Sequence, residues 1–472
     1  MSTETASTRA LADAVSRTTG ADEGGTAPFV PQPLTVEETG LDFSMILDLV
    51  VKAIYFAGRP AARQIAAQIA LPFAVIDEIL AFMKREQMAE VVGSSGMGEQ
   101  LYQYSLSTKG MEKAEEALAR NHYIGPAPVP FDLYLEVLKA QSIKNIRLTP
   151  VTVERSVSHL VLDDSVIEAL GPAVNSGRSM LIYGGSGNGK STITAAIGRM
   201  LPGEVLIPYA IDINGIIIKV FDPRVHNEIP VEKPGDRRSD GNGNNGERRR
   251  DRRWVIGRRP MITAGGELTL AELELKYSPQ SKFYIAPLQW KANSGLLIVD
   301  DFGRQMIQPK ELLNRWIVPM EERVDHLSLH TGDVVEVPFD CLLIFSTNLH
   351  PSQLGDEAFF RRIRHKIEIP DPTKEEFLEI LARVCQQREM PMDPDAALYL
   401  VDRYYERLDR GFKGCHPRDI AEIISDICVF RGERPAFDRK HLDQAAHSYF
   451  VSLQDPKSKQ LGTFGGLGQA AA

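Results

Sequence analysis

Residues 184–191 read GGSGNGKS and match the spacing G-x-x-x-x-G-K-S. The stretch follows an apolar run at residues 179–183 and precedes residues that favour a helix. Glycines at these positions let backbone N–H groups turn toward phosphate oxygens, and the start of the helix adds the positive end of its dipole. Lys190 can reach the β and γ phosphates of a nucleotide, and Ser191 can ligate Mg²⁺. The alternative is a chance glycine-rich turn, which the order of strand, loop and helix disfavours.

An acidic pair supplies the second element that such a loop needs. Residues 295–301 read GLLIVDD, so Asp300 and Asp301 follow an apolar run. Asp300, together with Ser191, is predicted to hold Mg²⁺, and Asp301 occupies the position of a base that polarises the attacking water. The predicted nucleotide contacts are Gly184, Gly185, Ser186, Gly187, Asn188, Gly189, Lys190, Ser191 and Thr192.

Further motifs, in order, resemble those of AAA+ ATPases over residues 158–453. The run DCLLIFSTN ends in Asn348, which is similar to the sensor 1 residue that helps to place the lytic water. An isolated Asn at this kind of position more often caps a turn, but this one lies between the acidic pair and an arginine cluster. The resemblance implies ATP and Mg²⁺ as cofactors. Most members of the class carry Glu where this chain has Asp301, which is one methylene shorter.

Residues 354–372 contain an arginine cluster that resembles the segment carrying the arginine finger. Arg362 is the best match and Arg361 its nearest competitor, while Arg304 is a further candidate for contacts with a neighbouring subunit. Such an arginine neutralises charge on the transferred phosphoryl group of the neighbour's ATP, an effect worth ~10³ to 10⁵ in rate. A solvated basic helix end is the alternative.

The stretch GCHPRDI at residues 414–420 resembles the sensor 2 start of a lid helix. Pro417 suits the first turn of a helix, and the resemblance places Arg418 toward the nucleotide. The residues predicted to take part in catalysis are therefore Asp301, Asn348, Arg362 and Arg418.

The elements that position these motifs follow from the hydrophobic pattern. Alternating strands and helices over residues 158–370 predict an α/β domain with a parallel sheet, and residues 371–454 predict a helical lid. In front of them, residues 37–120 read as three helices and a hairpin, which resemble an α+β winged-helix domain. The third helix, which would be the recognition helix, carries Ile76, Ile79, Leu80 and Met83 at the spacing of one buried face. A Pro-rich helical connector is expected at residues 121–157. Residues 1–36 and the tail at 455–472 are expected to be disordered from their composition.

Two hairpins are predicted inside the α/β domain. Asn214-Gly215 between β-branched runs is a strong turn signal, and Tyr209 with the hairpin tip could contact a substrate, although the hairpin could equally extend the sheet. A second hairpin turns at residues 331–333 and resembles the presensor hairpin of the AAA+ branch that includes helicases and MoxR-like chaperones. Between the two, residues 234–253 are expected from their composition to form a flexible basic insertion. We favour a solvated loop there over a contact with RNA, DNA or an acidic partner.

Composition limits the function classes. With 472 residues, of which 43% are hydrophobic and 25% charged, the chain can build several cores. The net charge of −9 disfavours a general polyanion binder. Neither a signal peptide nor a membrane-spanning run is evident, so a cytoplasmic protein without membrane insertion is expected.

Three functions remain open from the sequence. The first is a mechanochemical ATPase, self-assembled into a hexamer-like ring, that remodels or assembles a protein client and uses its N-terminal domain as an adaptor or oligomerisation surface. The second is an ATP-dependent regulator whose winged helix binds DNA. The third is a nucleotide-gated scaffold with slow turnover. Asp77 and Glu78 on the exposed face of the recognition helix would repel DNA phosphates and favour the first.

Overall fold

The computed structural model describes residues 27–230, 249–354 and 360–450. The N-terminal region contains three helices, a two-stranded antiparallel hairpin and a fourth helix. These are α1 (Phe43–Ala57), α2 (Ala62–Ile69), α3 (Phe73–Arg85), β1 (Ala89–Ser94), β2 (Tyr102–Leu106) and α4 (Thr108–Arg120). The predicted apolar face of α3 is fully buried and consists of Ile76, Ile79, Leu80 and Met83. This spacing of i, i+3, i+4 and i+7 places the four side chains on one side of the helix.

Local sequence explains why these helices end where they do. Ala70 has a left-handed φ of 59° directly after α2, and Pro72 occupies the N-cap position of α3 in an extended conformation, so the chain turns sharply between the two helices. Ser107 accepts a hydrogen bond of 3.2 Å from the backbone N–H of Gly110 and so caps α4.

The middle of the chain contains both strands and helices. In order they are β3 (Val129–Pro130), α5 (Phe131–Ala140), α6 (Pro150–Val157), α7 (Asp164–Asn175), β4 (Met180–Gly184), α8 (Lys190–Met200), β5 (Glu204–Pro208), β6 (Ala210–Ile213), β7 (Ile216–Lys219), β8 (Trp254–Arg258), β9 (Met261–Ala264), β10 (Lys276–Ser278), β11 (Phe283–Ile285), α9 (Leu288–Lys291), β12 (Leu296–Val299), α10 (Pro309–Glu322), β13 (Val324–Ser328), β14 (Val334–Pro338), β15 (Leu342–Thr347) and β16 (His365–Ile369). Seven strands, β5 to β11, follow one another with no α-helix between them among the described residues.

The main sheet has five strands in the order β16-β4-β15-β12-β9. Strand β15 pairs in parallel with both β4 and β12, and β12 pairs in parallel with β9. Residues of β12 and β15 such as Leu297, Val299 and Phe345 are fully buried, as expected for a sheet covered on both faces. Because the carboxyl ends of parallel strands meet at one edge, the segments after β4, β12 and β15 start there. The α/β fold predicted from the sequence is present.

A second five-stranded sheet, in the order β10-β11-β7-β6-β3, was not predicted. The hairpin at Asn214-Gly215 forms its β6–β7 pair, with left-handed φ values of 51° and 85° at the two turn residues. Strand β3 pairs with β6 of this sheet, and buried residues of helix α5 pack in the core beside the sheet. Residues 121–157 are therefore not a separate connector. Tyr209 is half-buried and its ring packs edge-on against Phe221. The hairpin belongs to this second sheet and does not extend the main one, and a substrate contact by its tip stays a prediction.

A hairpin also forms at the second predicted position, and its resemblance to a presensor hairpin stays a prediction. Strands β13 and β14 pair in antiparallel register, and Gly332 in their connection has a left-handed φ of 95°. A β-carbon is disfavoured at this φ, which explains the glycine.

The C-terminal region is helical, as predicted. Its helices are α11 (Lys374–Gln387), α12 (Pro394–Tyr404), α13 (His416–Arg431) and α14 (Arg439–Tyr449), which pack around one apolar core. By contacts the chain divides into two compact units. One contains residues 158–164 and 184–190 and the chain from 369 onward, and the other contains the rest. The phosphate-loop sequence therefore groups with the helical region, whereas Ser191 and the acidic pair group with the main sheet.

Two expectations of disorder need correction. Ala27, Val30 and Val36 are buried, so packing begins before residue 37, while residues 1–26 lie outside the described residues. Arg253 of the basic insertion is 1% exposed and forms an ion pair of 2.8 Å with Asp251, which is equally buried. A buried arginine of this kind requires such a partner, and Arg253 is therefore not available to an external ligand. Residues 231–248, which include Arg248, and the predicted tail at 455–472 lie outside the described residues.

Within the described ranges, no single helix is both long enough and apolar enough to cross a membrane. Helices α2 and α3 have the required length and composition only as a pair, and the pair is bent by 119°.

Candidate nucleotide-binding site

The glycine-rich loop joins β4 to α8. Strand β4 ends at Gly184 and α8 begins at Lys190. Gly184, Gly187 and Gly189 have φ values of 149°, 83° and 80°, which side-chain-bearing residues rarely adopt. A β-carbon at Gly184 would also overlap the backbone of Ile369. The loop geometry thus requires glycine where the sequence provides it, as expected for a phosphate-binding loop.

Lys190 is folded back over this loop. Its Nζ donates hydrogen bonds of 3.1 Å to the carbonyl of Gly184 and 2.8 Å to that of Gly185, and the residue is only 7% exposed. These acceptors are neutral, so a phosphate oxygen would be the stronger partner for the ammonium. The ammonium group of Lys190, which the sequence predicted as a phosphate ligand, therefore lies at the loop.

A polar network that sequence reasoning missed connects the loop to the helical region. Asn188 Nδ2 donates hydrogen bonds to Asp371 Oδ1 at 2.7 Å and to the carbonyl of Pro370 at 3.2 Å. Lys413 Nζ bonds both carboxylate oxygens of Asp371 at 2.6 Å. A β-carbon placed on Gly185 would lie 2.7 Å from the same Nζ, so the ammonium of Lys413 borders the phosphate loop.

The charge of Asp371 is stabilised inside this network. Its partial burial opposes ionisation, but hydrogen bonds from Lys413 and Asn188 outweigh burial and lower the pKa of the carboxyl. Asp371 stands in the sequence Pro370-Asp371-Pro372, which predicted a domain boundary. Pro370 and Pro372 restrict the backbone on both sides of Asp371, which the sequence shows. The contact between Asp371 and Asn188 could not be predicted from these prolines.

Ser191 and Asp300 lie together in the other unit. The Oγ atom of Ser191 donates a hydrogen bond of 3.0 Å to Oδ2 of Asp300. The remaining oxygen, Oδ1, accepts a bond of 3.0 Å from the backbone N–H of Asp301. Gln305, which sequence reasoning also missed, donates to the carbonyl of Asp300 at 2.8 Å. A hydroxyl and a carboxylate side by side are the oxygen ligands that Mg²⁺ prefers, so these residues fit the predicted metal.

Asp301 and Asn348 also lie in contact, which the sequence analysis did not predict. Asn348 Nδ2 donates a hydrogen bond of 3.0 Å to Oδ1 of Asp301. Asp301 has a left-handed φ of 49°, a strained conformation that Asp tolerates better than most residues. Strain of this kind persists only when the surroundings enforce it. Here the next residue, Phe302, is fully buried and packs against Phe345 of β15 with ring centroids 5.0 Å apart.

Arg362 is held within its own chain. Its Nε donates a hydrogen bond of 2.7 Å to Oε1 of Glu321, at the end of α10, and its side chain is 20% exposed. The competing residues Arg361 and Arg304 are more exposed. A role of Arg362 at a neighbouring subunit would require the ion pair with Glu321 to exchange, and it stays a prediction.

Arg418 lies in the first turn of α13, where Pro417 starts the helix as predicted. Its side chain is 65% exposed and pairs with Asp419 at 3.1 Å. Of the cations in this region, Lys413 rather than Arg418 borders the phosphate loop.

Comparisons with known proteins add little to this geometry. The sequence model of a domain of unknown function (DUF8689) matches residues 373–448, which contain most of the four C-terminal helices. No curated protein matches the chain by sequence. Among solved structures, the Holliday junction branch migration motor RuvB of Thermotoga maritima is 13% identical with a TM-score of 0.34, and the match covers 61% of this chain and 69% of that one. A point mutant of the same protein gives 14% identity, a TM-score of 0.34, and coverage of 65% and 72%. Scores this low carry no argument, so the fold assignment rests on strand order and loop geometry.

Proposed function

We propose that this chain is an ATPase of the AAA+ class that binds ATP with Mg²⁺, hydrolyses it, and works as a ring-like homo-oligomer on a macromolecular client. The observation that carries the proposal is the pairing of motif residues distant in sequence. Ser191 contacts Asp300 at 3.0 Å, and Asn348 contacts Asp301 at 3.0 Å. A chance glycine-rich turn would not explain why the residue after Lys190 contacts the first carboxylate of the acidic pair and why Asn348 contacts the second.

ATP binding is assigned to the loop of residues 184–191 and to Thr192. Lys190 and Ser191 are consecutive, so a phosphate chain that follows the loop reaches both. The backbone N–H groups at the start of α8 and the Lys190 ammonium bind phosphate oxygens. Ser191 and Asp300 are the residues that would hold Mg²⁺, which when bound neutralises charge on the phosphate oxygens.

Hydrolysis is assigned to Asp301 and Asn348. The Asp301 carboxylate accepts a proton from the water that attacks the γ-phosphate, and the Asn348 amide orients that carboxylate through the hydrogen bond to Oδ1. General-base assistance of this type contributes ~10² to 10⁴ in rate. Arg362 is proposed to act on the ATP of a neighbouring subunit, and Arg418 and Lys413 are proposed to respond to the nucleotide from the helical region.

A protein client is favoured for the N-terminal domain, which we interpret as a winged helix. The start of α3 presents Glu78 and the half-buried Asp77, which oppose DNA phosphates. Large apolar side chains are exposed in the same domain, among them Phe56 at 57%, Met97 at 100% and Met111 at 49%. These side chains cannot donate hydrogen bonds to a phosphate backbone. Titration of the full-length chain with duplex DNA at physiological salt tests the alternative, and sequence-selective binding would support the DNA-directed regulator instead.

The proposal is tested by measuring ATP affinity and phosphate release with the full-length chain. Lys190→Ala should lose ATP binding, because the loop loses its compact positive charge. Asp301→Asn should bind ATP but turn over at least ~10²-fold more slowly. Asp77→Asn makes the same chemical change outside the site and should match the wild type. Unchanged ATP affinity in Lys190→Ala would refute the assignment of ATP binding to the glycine-rich loop. If the wild type releases phosphate no faster than Asp301→Asn, the chain would instead be a nucleotide-gated scaffold.

A further inference from the structure

A cavity of about 520 Å³ lies between the N-terminal helices and the second sheet. Helix α1 lines one side through Met45, Leu49 and Lys52, and strand β7 contributes Ile216 and Ile217. Its volume is within the range of small-molecule sites, roughly 300 to 1,000 Å³. The residues that line it are separate from those assigned to ATP.

The cavity carries a positive formal charge. Its lining contains the cationic side chains of Lys52, Lys113, Arg120 and Lys282 and the carboxylates of Asp42 and Asp48. Arg120 is paired with Asp48 at 2.6 Å and Lys113 with Glu116 at 3.1 Å, so Lys52 and Lys282 face the single carboxylate of Asp42 and leave one positive charge in excess. The net charge of the whole chain is −9, so this concentration of cations is local. A positive, low-dielectric cleft attracts anions.

Lys52 is the most buried charged group of the cavity, at 1% exposure. Its Nζ donates to the side-chain oxygen of Asn121 at 2.8 Å and to the Asn121 carbonyl at 3.3 Å. An ammonium has three N–H groups, so these two bonds leave donor capacity for a ligand. Burial lowers the pKa of Lys52 to about 8, with Asp48 opposing and Arg120 adding to the shift. An anion in the cavity would favour the charged amine.

An aromatic platform lines another part of the cavity. The rings of Tyr277 and His330 stack with centroids 4.1 Å apart and an interplanar angle of 12°. The Tyr284 hydroxyl fixes His330, since it bonds the ring nitrogen Nδ1 and accepts a bond of 2.9 Å from the His330 backbone N–H. A planar ring can extend such a stack.

The tips of both hairpins reach this cavity. Gly215 belongs to the β6–β7 turn and His330 to the β13–β14 connection, and both line it. A ligand here would therefore contact the N-terminal helices and the two hairpins at once.

We propose that the cavity binds a small organic anion with a planar ring, either a phosphate or a carboxylate, which bridges the N-terminal helices and the two hairpin tips. The binding site is separate from the ATP site and does not depend on hydrolysis.

The proposal is tested by ligand-observed NMR titration of the full-length chain with phenyl phosphate and benzoate, which share a ring and differ in the anionic group. Cyclohexyl phosphate is the control for the planar ring. We expect at least one of the aromatic anions to bind with a dissociation constant on the order of 1 mM, a reasonable affinity for a ligand of this size. Lys52→Met keeps the aliphatic stem and should weaken binding at least about tenfold. Lys84→Met removes an equal charge outside the cavity and should have no effect.

His330→Ala provides a second variant at an exposed position, in case Lys52→Met fails to fold. It should weaken the aromatic anions about threefold or more and reduce their advantage over cyclohexyl phosphate. Binding that persists in Lys190→Ala would support a site apart from the phosphate loop. Binding lost in Lys190→Ala but unchanged in His330→Ala and in folded Lys52→Met would overturn the proposal, as would an absence of binding by either aromatic anion.

Discussion

Ser191 Oγ donates a hydrogen bond of 3.0 Å to Asp300 Oδ2, across 109 residues of sequence. The hydroxyl belongs to the first turn of α8, directly after the glycine-rich loop, and the carboxylate follows a buried strand of the main sheet. Their pairing places two oxygen ligands side by side, which is the arrangement that our assignment of Mg²⁺ requires.

Replacing Ser191 should therefore alter the dependence of turnover on magnesium. We expect Ser191→Ala to raise the Mg²⁺ concentration for half-maximal phosphate release by about tenfold, because one oxygen ligand is lost. Ser191→Thr retains a hydroxyl and serves as the matched control. Equal Mg²⁺ dependence in Ser191→Ala and the wild type would argue against a metal at this pair.

Arg362 should affect turnover without affecting ATP binding. If it acts on a neighbouring subunit, Arg362→Ala should lower phosphate release by ~10³-fold while the ATP dissociation constant stays unchanged. Mixed oligomers of Arg362→Ala and Asp301→Asn should regain part of the activity, since some interfaces then combine an intact site with an intact arginine.

Glu321→Gln is the companion variant, because it weakens the 2.7 Å ion pair that holds Arg362 within its own chain. It should retain turnover if the pair is not needed for catalysis. An absence of recovery in verified mixed oligomers would count against a shared site.

Lys413 should matter more for nucleotide affinity than Arg418. Lys413→Met removes the ammonium that borders Gly185 and leaves Asp371 without its ion-pair partner. We expect ATP affinity to fall roughly fivefold, which corresponds to about 1 kcal/mol for a partly exposed pair. Arg418→Met is the matched control, and a larger loss there would restore the role that the sequence motif assigned to Arg418.

The Asp212 carboxyl should make the thermal stability of the protein depend on pH. Burial raises the pKa of its carboxyl to about 6, although the 2.9 Å bond from the backbone N–H of Gly215 opposes the shift. The folded state therefore holds this proton more tightly than the unfolded chain, and the associated stability is lost as pH rises from about 4 to 6. We expect the thermal midpoint of the wild type to fall over this window relative to that of Asp212→Asn. The expected effect is about 1 kcal/mol, reduced because the carboxyl keeps some contact with water. A constant difference between the two midpoints from pH 4 to 6 would contradict the shift.

The sequence by itself determined the local elements and the identities of the chemical groups. The period of apolar residues predicted α3 and its buried face, and Asn214-Gly215 predicted a hairpin turn that only small or left-handed-tolerant residues form easily. The glycines of residues 184–189 and the apolar run before Asp300 predicted a loop and a buried strand, because these signals depend on neighbours along the chain.

The tertiary structure decided which of these groups meet. Strand order brought the segments after β12 and β15 to one edge of the sheet, so that Asn348 could reach Asp301. In the tertiary structure, β3 of the expected connector pairs within a second sheet. Arg253 forms an ion pair with a buried Asp251, where composition predicted a solvated loop. Lys413 reached the phosphate loop although no motif marked it. Contacts of this kind depend on the packing of elements far apart in sequence, for which local residue pattern carries no information.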